Sequence, residues 1–305
     1  MEQQTDGQPE IALNKPRNRF VAFLLSLVFP GLGQVYNGQP WKAGLFFSIV
    51  LLVAFVFGLT RWITSFYGLV SLLLAELALR IYVLIDAVKN AARQKEYIPK
   101  PYNTWYYHLL IAAGMVAILL VYDISAVTGI KTVIIPTTSN YPTFHLGDRL
   151  VADLRAYKNN GPQYGDLVIF TKQDGKMYTY RVVGLPADHL TLAGNIITVN
   201  NQPGKQTLLQ ETINDGMPVS EVEEELPNGH KHRLYKRLQP GTNSRADFDG
   251  IVVPAGCYYL LGDNRDNAAD SRYEGFISRN RIKGRIIYSY WGSSTKRINI
   301  NFRDK

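Results

Sequence analysis

Four apolar runs, Phe20 to Val35, Ala43 to Leu59, Phe66 to Ile85 and His108 to Val127, crowd the first 127 positions, and no run like them follows. A helix crossing about 30 Å of hydrocarbon needs roughly 20 mostly apolar residues, and the last two runs meet that length. Cleavable leader segments are shorter and come once, so the runs read as retained membrane segments. The remaining sequence has globular composition with Gly, Pro and Asp turns. A chain of 305 residues, 46% hydrophobic and 19% charged, therefore divides into a membrane region and a soluble domain.

The net charge of +8 does not gather into one basic and aromatic surface, which removes nucleic acid as a partner and leaves the lipid bilayer. Lys15, Arg17 and Arg19 precede the first run, and Lys89, Arg93, Lys95 and Lys100 follow the third. The positive-inside rule places both groups in the cytoplasm. Three full spans between them would separate them, but Pro30, Gly31 and Gly33 interrupt the first run, and a re-entrant or interfacial segment there restores agreement. The expected layout is a cytoplasmic tail over 1–19, a multi-span anchor over 20–127 with a basic cytoplasmic loop near 86–106, and an outer domain over 128–305. Glu76 and Arg80 are the charges deep in the clear spans, four apart on one helix where they can pair. A transporter or channel has little else to support it. The single cysteine, Cys257, reads as a buried thiol and permits no disulfide within the chain.

Beyond Lys131 the apolar signal shortens. Val151 to Leu154, Leu167 to Thr171, Tyr178 to Gly184, Ile196 to Asn200, Ile251 to Pro254, Tyr258 to Gly262 and Arg285 to Trp291 are rich in Val, Ile and Tyr and are separated by turn residues. They predict strands, and Asp174-Gly175 predicts a hairpin. The pattern gives a mostly-β domain with long loops. Glu221, Glu223, Glu224 and Glu225 read as a solvated face.

The most specific text is Gly262 to Phe276, GDNRDNAADSRYEGF, a polar run that follows an apolar strand. So many charges beside a buried strand must be tied down by mutual ion pairs and hydrogen bonds. Together with Ser139 to Phe144, Gly147 to Leu150, Gly165 to Phe170 and Tyr180 to Pro186, in this order, it resembles the bacterial type I signal peptidases, the S26 serine peptidases. The resemblance implies a mostly-β fold, an antiparallel signal-peptidase-like β domain anchored by an N-terminal α-helical membrane region, with residues 188–250 as an insert. Residues 30–38 and the apolar run after them are similar to the short two-helix TM2-type membrane module.

The resemblance assigns Ser139 as nucleophile, with its own N–H and the Thr137 hydroxyl forming the oxyanion hole. Asp263, Asn264, Arg265, Asp270 and Arg272 fall on the family's site scaffold. Asn140 replaces the usual methionine. The general-base lysine should stand immediately before Arg181, and that position is Tyr180; the serine that orients the lysine is replaced by Ala268.

Free tyrosine and lysine have similar pKa values, about 10 and 10.4. Burial lowers a lysine's pKa and raises a tyrosine's, because desolvation disfavours whichever form is charged. An apolar pocket that makes a good lysine base therefore makes a poor tyrosinate, and a nearby cation is required. Arg181 should point to the opposite face of the strand, which leaves Arg272 or Arg265. Among replacement bases, Lys176 lies roughly 13 Å along the strand from Tyr180, and Lys172 sits near the hairpin tip. His145 follows Ser139 by six positions and reads as a surface or packing histidine, while His189, His230 and His232 flank turns in the insert.

Two readings remain open. One is a membrane-bound serine endopeptidase that removes signal peptides from exported preproteins after small residues of the Ala-x-Ala type, at the bacterial cytoplasmic membrane with its C-terminal domain outside. The alternative is a catalytically inactive descendant that binds signal peptides or a membrane partner. Neither requires a metal or cofactor, and no metal or nucleotide motif is present.

Overall fold

The computed structural model describes residues 16–121, 123–239 and 245–303. Lys15, most of the expected cytoplasmic tail and positions 240–244 of the insert lie outside the described residues. The chain divides into two units, one of residues 1–63 and 67–128, the other of residues 64–66 and 129–305.

The first unit is helical. Asn18 caps α1 (Arg19–Val28), its side-chain oxygen accepting from the N–H groups of Phe20 and Val21. The helix stops where Gly31 adopts φ +104°, a left-handed conformation open to glycine, and α2 (Leu32–Tyr36) follows. At 10 and 5 residues, neither spans a bilayer. Pro40, at the first turn, starts α3 (Pro40–Leu59), and α4 (Phe66–Arg93) follows a short 3-10 turn; both are long and apolar enough to cross a membrane. The last apolar run differs from expectation. It forms α5 (Trp105–Val121), whose 17 residues rise only about 25 Å, followed by a separate turn of helix, α6 (Ile124–Thr128), at whose start the Asp123 carboxylate accepts from the Ser125 N–H.

Small residues bring α1 and α4 together at Ala22, Ala87 and Ala91. Buried amides fasten α2 to α4: Gln34 donates to the Val83 carbonyl and Asn37 to that of Ala87, each at 2.7 Å. Lys42 pairs with Asp86 at 3.1 Å. Arg17 lies between the rings of Tyr36 and Tyr97, 4.3 and 3.7 Å from their centroids.

The second unit is antiparallel β. Its main sheet comprises β1 (Ile130–Ile134), β2 (Arg149–Asp153), β3 (Leu167–Thr171) and β4 (Met177–Gly184) from the first half. The insert supplies β5 (His189–Ala193), β6 (Ile196–Val199), β7 (Gln202–Pro203), β8 (Lys205–Asn214), β9 (Met217–Glu225) and β10 (Lys231–Arg237). Then come β11 (Phe248–Val252), β12 (Cys257–Leu261), β13 (Ile277–Ser278) and β14 (Ile282–Trp291). The main sheet runs β1-β2-β14-β3-β4-β12-β13; β8, β9 and β10 form a second sheet, and β11, β5, β6 and β7 a third.

The Asp174-Gly175 hairpin joins β3 to β4 as expected, with Val168 opposite Tyr180 and Leu167 opposite Arg181. Val168, Phe170, Tyr180, Val182, Leu260 and Ala268 share one core cluster, and Leu150, Leu167, Ile169 and Ile286 belong to another. The insert over 188–250 is largely paired strands, of which the sequence marked β6. The strand β8, Lys-Gln-Thr-Leu-Leu-Gln-Glu-Thr-Ile-Asn, is exposed along most of its length and so carries no apolar alternation to reveal it.

Candidate active site

From β1 the chain passes through Pro136 into the turn that carries Thr137 and Ser139, whose hydroxyl oxygens lie 3.2 Å apart. The run after β12 fastens this turn. The Asn264 N–H donates to the Ser139 carbonyl at 3.0 Å, the Asn264 side-chain amide to the Thr138 carbonyl at 3.0 Å, and the Asn267 amide to the Thr138 hydroxyl at 2.8 Å. From the other side the buried Asn140 amide donates to the Thr179 carbonyl of β4 at 2.7 Å. An anchor that is apolar in the resemblance is here a hydrogen bond. Gly262 lies at the centre: a Cβ there would meet the Cβ of Ala268 at 2.4 Å and the Ser139 carbonyl at 2.7 Å, so only glycine lets the three segments converge.

Tyr180 sits beside Gly262, 3% exposed, with its ring 5.8 Å from that of Phe170. Ala268 belongs to the same apolar cluster, so the side chains at 180 and 268 pack as a unit. The Tyr180 hydroxyl donates to the Ala269 carbonyl at 3.1 Å. Burial pushes the phenol well above the ordinary tyrosine value, and the carboxylates of Asp270 and Glu274 push the same way; the Ser139 hydroxyl works against them.

The arginines expected to supply a cation are committed elsewhere. Arg181 faces away and holds Asp263. Arg265 pairs with Glu224 at 2.5 Å, and Arg272 grips Asp270 through two hydrogen bonds of 2.8 Å while also reaching the Asn195 side-chain oxygen at 2.9 Å. The Asp270 carboxylate in turn accepts from the Gly262 N–H at 2.9 Å. These contacts put all five expected scaffold residues into one buried network. They also correct the acidic run of the insert: Glu224 is buried against Arg265, and Glu221 accepts from Arg233 at 3.0 Å and Gln210 at 2.7 Å, leaving Glu223 and Glu225 as the more open members of the run. His232 lies 3.3 Å from Glu224, and His230 lies 3.2 Å from Arg181, so two histidines without expected roles belong to this network.

A cleft of about 700 Å³ opens at the hydroxyl pair, lined mainly by apolar surface from Val133, Ile135, Ile169, Met177, Tyr178 and Tyr180. It has room for an extended segment beside the Ser139 hydroxyl. The model of the family described as signal peptidase, peptidase S26, matches residues 104–291, covering the cleft, both hydroxyls and the run that fastens them.

The chain belongs to the S26 signal peptidase family.

Similar signal peptidases include the probable signal peptidase I-2 of Synechocystis sp., 26% identical over 218 residues, 68% of this chain and 81% of that one. Signal peptidase IB of Staphylococcus aureus is 27% identical over 195 residues, 61% and 93% of the two chains, and signal peptidase I of Leptolyngbya laminosa is 27% identical over 177 residues, 53% and 72%. A crystal structure of a signal peptidase I from Enterococcus faecalis aligns with 41% of this chain and 97% of its own, at 21% identity and a TM-score of 0.26. A second family model, of unknown function, matches residues 14–145.

Within this signal peptidase domain, Lys172 stands beside the hairpin turn as expected, just past β3, but its side chain is buried. Its Nζ donates to the Ala269 carbonyl at 2.8 Å, pairs with Glu274 and lies over the rings of Tyr178 and Tyr180 at 4.0 and 5.5 Å. The signal was available: Val168, Phe170 and Lys172 alternate along one face, and the hairpin register carries Tyr178 and Tyr180 onto it. His145 is a packing residue, its ring 5.0 Å from Tyr141.

Proposed function

We propose that this protein is a membrane-anchored serine endopeptidase of the signal peptidase I type that cleaves signal peptides from exported preproteins, with Ser139 as nucleophile and its C-terminal domain outside the cytoplasm. The observation that carries the reading is the Thr137 and Ser139 hydroxyl pair, 3.2 Å apart at an apolar cleft and held there by Asn264 and Asn267. The names of the relatives supply the substrate class. An extended peptide in the cleft would present its scissile carbonyl carbon to the Ser139 oxygen. The oxyanion that forms would lie near the Ser139 N–H and the Thr137 hydroxyl, donors fixed before reaction and each worth roughly 2.7–4 kcal/mol in such sites. Tyr180, at the base position, would take the serine proton and return it to the leaving amine.

The test is cleavage of a model preprotein by the purified full chain in detergent, wild type against Ser139→Ala. Cleavage that disappears in the variant supports the reading. Equal rates for the two proteins, or a wild type that binds the signal peptide without turnover, refute it; the second result would establish a binding protein.

A further inference from the structure

The peptidase reading leaves Tyr180 with an unfavourable ionisation, because the pocket is apolar and two carboxylates, Asp270 and Glu274, act on it from α7 (Ser271–Glu274) and its N-cap. The groups facing the phenol are few. From β4 comes Tyr178, from the end of β3 comes Lys172, and Lys176 and Asp266 line the cleft farther along. Arg181, Arg265 and Arg272 each hold a buried carboxylate of their own. Lys172 is the cation whose position suits Tyr180. Its Nζ and the Tyr180 hydroxyl both donate to the carbonyl oxygen of Ala269, at 2.8 and 3.1 Å, so the two atoms can be no farther apart than the sum of those lengths. Only 7% of the Lys172 side chain is exposed, so solvent does little to screen its charge. The stem could have run out past the hairpin into water; instead the tyrosine rings and the Ala269 carbonyl hold the ammonium inward.

We propose that Lys172 and Tyr180 together replace the missing lysine base, the Lys172 ammonium holding the negative charge of a Tyr180 phenolate that accepts the proton of Ser139. Lys172 is a positioning residue and does not touch the substrate. In the step, the Ser139 oxygen bonds to the scissile carbonyl carbon, its proton passes to the Tyr180 oxygen, and the carbonyl π pair moves onto the oxygen facing Thr137. On collapse, the carbon–nitrogen bond breaks and the amine departs with the proton held by Tyr180, which restores the phenolate. Water then cleaves the acyl ester, with Tyr180 accepting its proton and returning it to Ser139. Glu274 tempers the arrangement, since it pairs with Lys172 while itself opposing the phenolate.

This proposal rests on the peptidase reading, and two readouts separate their fates. The full chain in detergent is titrated by the ultraviolet absorbance of tyrosinate. Subtracting a Tyr180→Phe protein isolates residue 180 from the other tyrosines, 19 in all with Tyr180. The same titration is run on Lys172→Met, which keeps the buried stem, on Lys172→Arg, which keeps the charge, and on Glu274→Gln. The pH profile of preprotein cleavage is measured alongside. Loss of an opposite charge at this range should raise the Tyr180 titration by about one to three pH units in Lys172→Met. Lys172→Arg should restore it, Glu274→Gln should lower it, and the alkaline limb of cleavage should follow each shift. An unmoved Tyr180 titration in Lys172→Met overturns the proposal whatever the activity does. A moved titration without Ser139-dependent cleavage upholds the pairing while refuting the peptidase reading. A cleavage rate lost in Lys172→Met and not rescued by Lys172→Arg, with the pH limb unchanged, reduces Lys172 to packing and also overturns it.

Discussion

Arg181 holds Asp263 through two parallel hydrogen bonds, Nε to Oδ1 at 2.9 Å and Nη2 to Oδ2 at 2.8 Å, with both side chains sealed from solvent. Thr143 adds a hydroxyl at 2.5 Å to the same carboxylate. The pair ties β4, which carries Tyr180, to the run that fastens Ser139. Removing one partner leaves a buried charge without its counterion, so Asp263→Ala should lose about 3–5 kcal/mol of stability. Denaturant unfolding of the full chain in detergent measures this; a loss below about 1 kcal/mol would show that water reaches Arg181 in the variant.

Gly262 should tolerate no side chain. An alanine there must displace the Ser139 carbonyl or Ala268, a strain of about 1–3 kcal/mol. Because the displaced atom belongs to Ser139, the proposed nucleophile, cleavage should fall about 10²-fold even where the protein still folds. Wild-type turnover by Gly262→Ala would mean that the turn does not position Ser139.

Thr137→Val removes a hydroxyl while keeping the branched shape. If that hydroxyl donates to the oxyanion, kcat should fall about 10²–10³-fold with KM little changed. A change confined to KM would assign Thr137 to substrate binding instead.

Two histidines make the domain sensitive to acid. Burial, and then the Arg181 charge, push His230 down from 6.5 to about 4 and lower His232 as well. The unfolded chain takes up protons below about pH 6.5 that the folded chain refuses until near pH 4, so stability should fall as the pH drops through that window. Glu224 adds a loss at lower pH: burial alone would raise its carboxyl, but Arg265 and His232 hold it below the usual range, so its stabilisation is present above about pH 4.5 and lost on acidification below it. Melting temperature against pH should show both windows, and His230→Gln should flatten part of the upper one. A melting temperature constant from pH 7 to 4 contradicts this.

Cleavage should climb with pH. If Tyr180 is the base, the reactive form is its anion, and burial keeps that form scarce at neutrality. The rate should rise about tenfold per pH unit below the tyrosine's pKa, and Tyr180→Phe should abolish the rise. A profile flat above pH 7 would remove Tyr180 from the role.

The sequence made the hairpin legible because Asp174-Gly175 favours a tight turn between two short runs rich in apolar and aromatic residues. It made Ser139, Thr137 and the scaffold legible through the order of short runs rather than through any one of them. Much of the insert escaped because β8 is exposed along most of its length and β9 mixes the buried Val219 and Val222 with glutamates, so the burial of Glu221 and Glu224 rests on Gln210, Arg233 and Arg265. Lys172 escaped because a charge next to a turn is ordinarily solvated, and only the β3 to β4 register turns it inward. Pro30 and Gly31 announced the break after α1, whereas the early end of the last long helix had no comparable punctuation beyond Asp123.

The Ala269 carbonyl has two lone pairs, and Lys172 and Tyr180 occupy both. A lysine placed at position 180 would set two ammonium groups beside that one oxygen, with Glu274 as their near counterion and no hydroxyl at Ala268 to receive the second. Loss of the Lys172 ammonium would leave the Tyr180 hydroxyl as the remaining donor of the pair, so a change at either position alters what the other one meets.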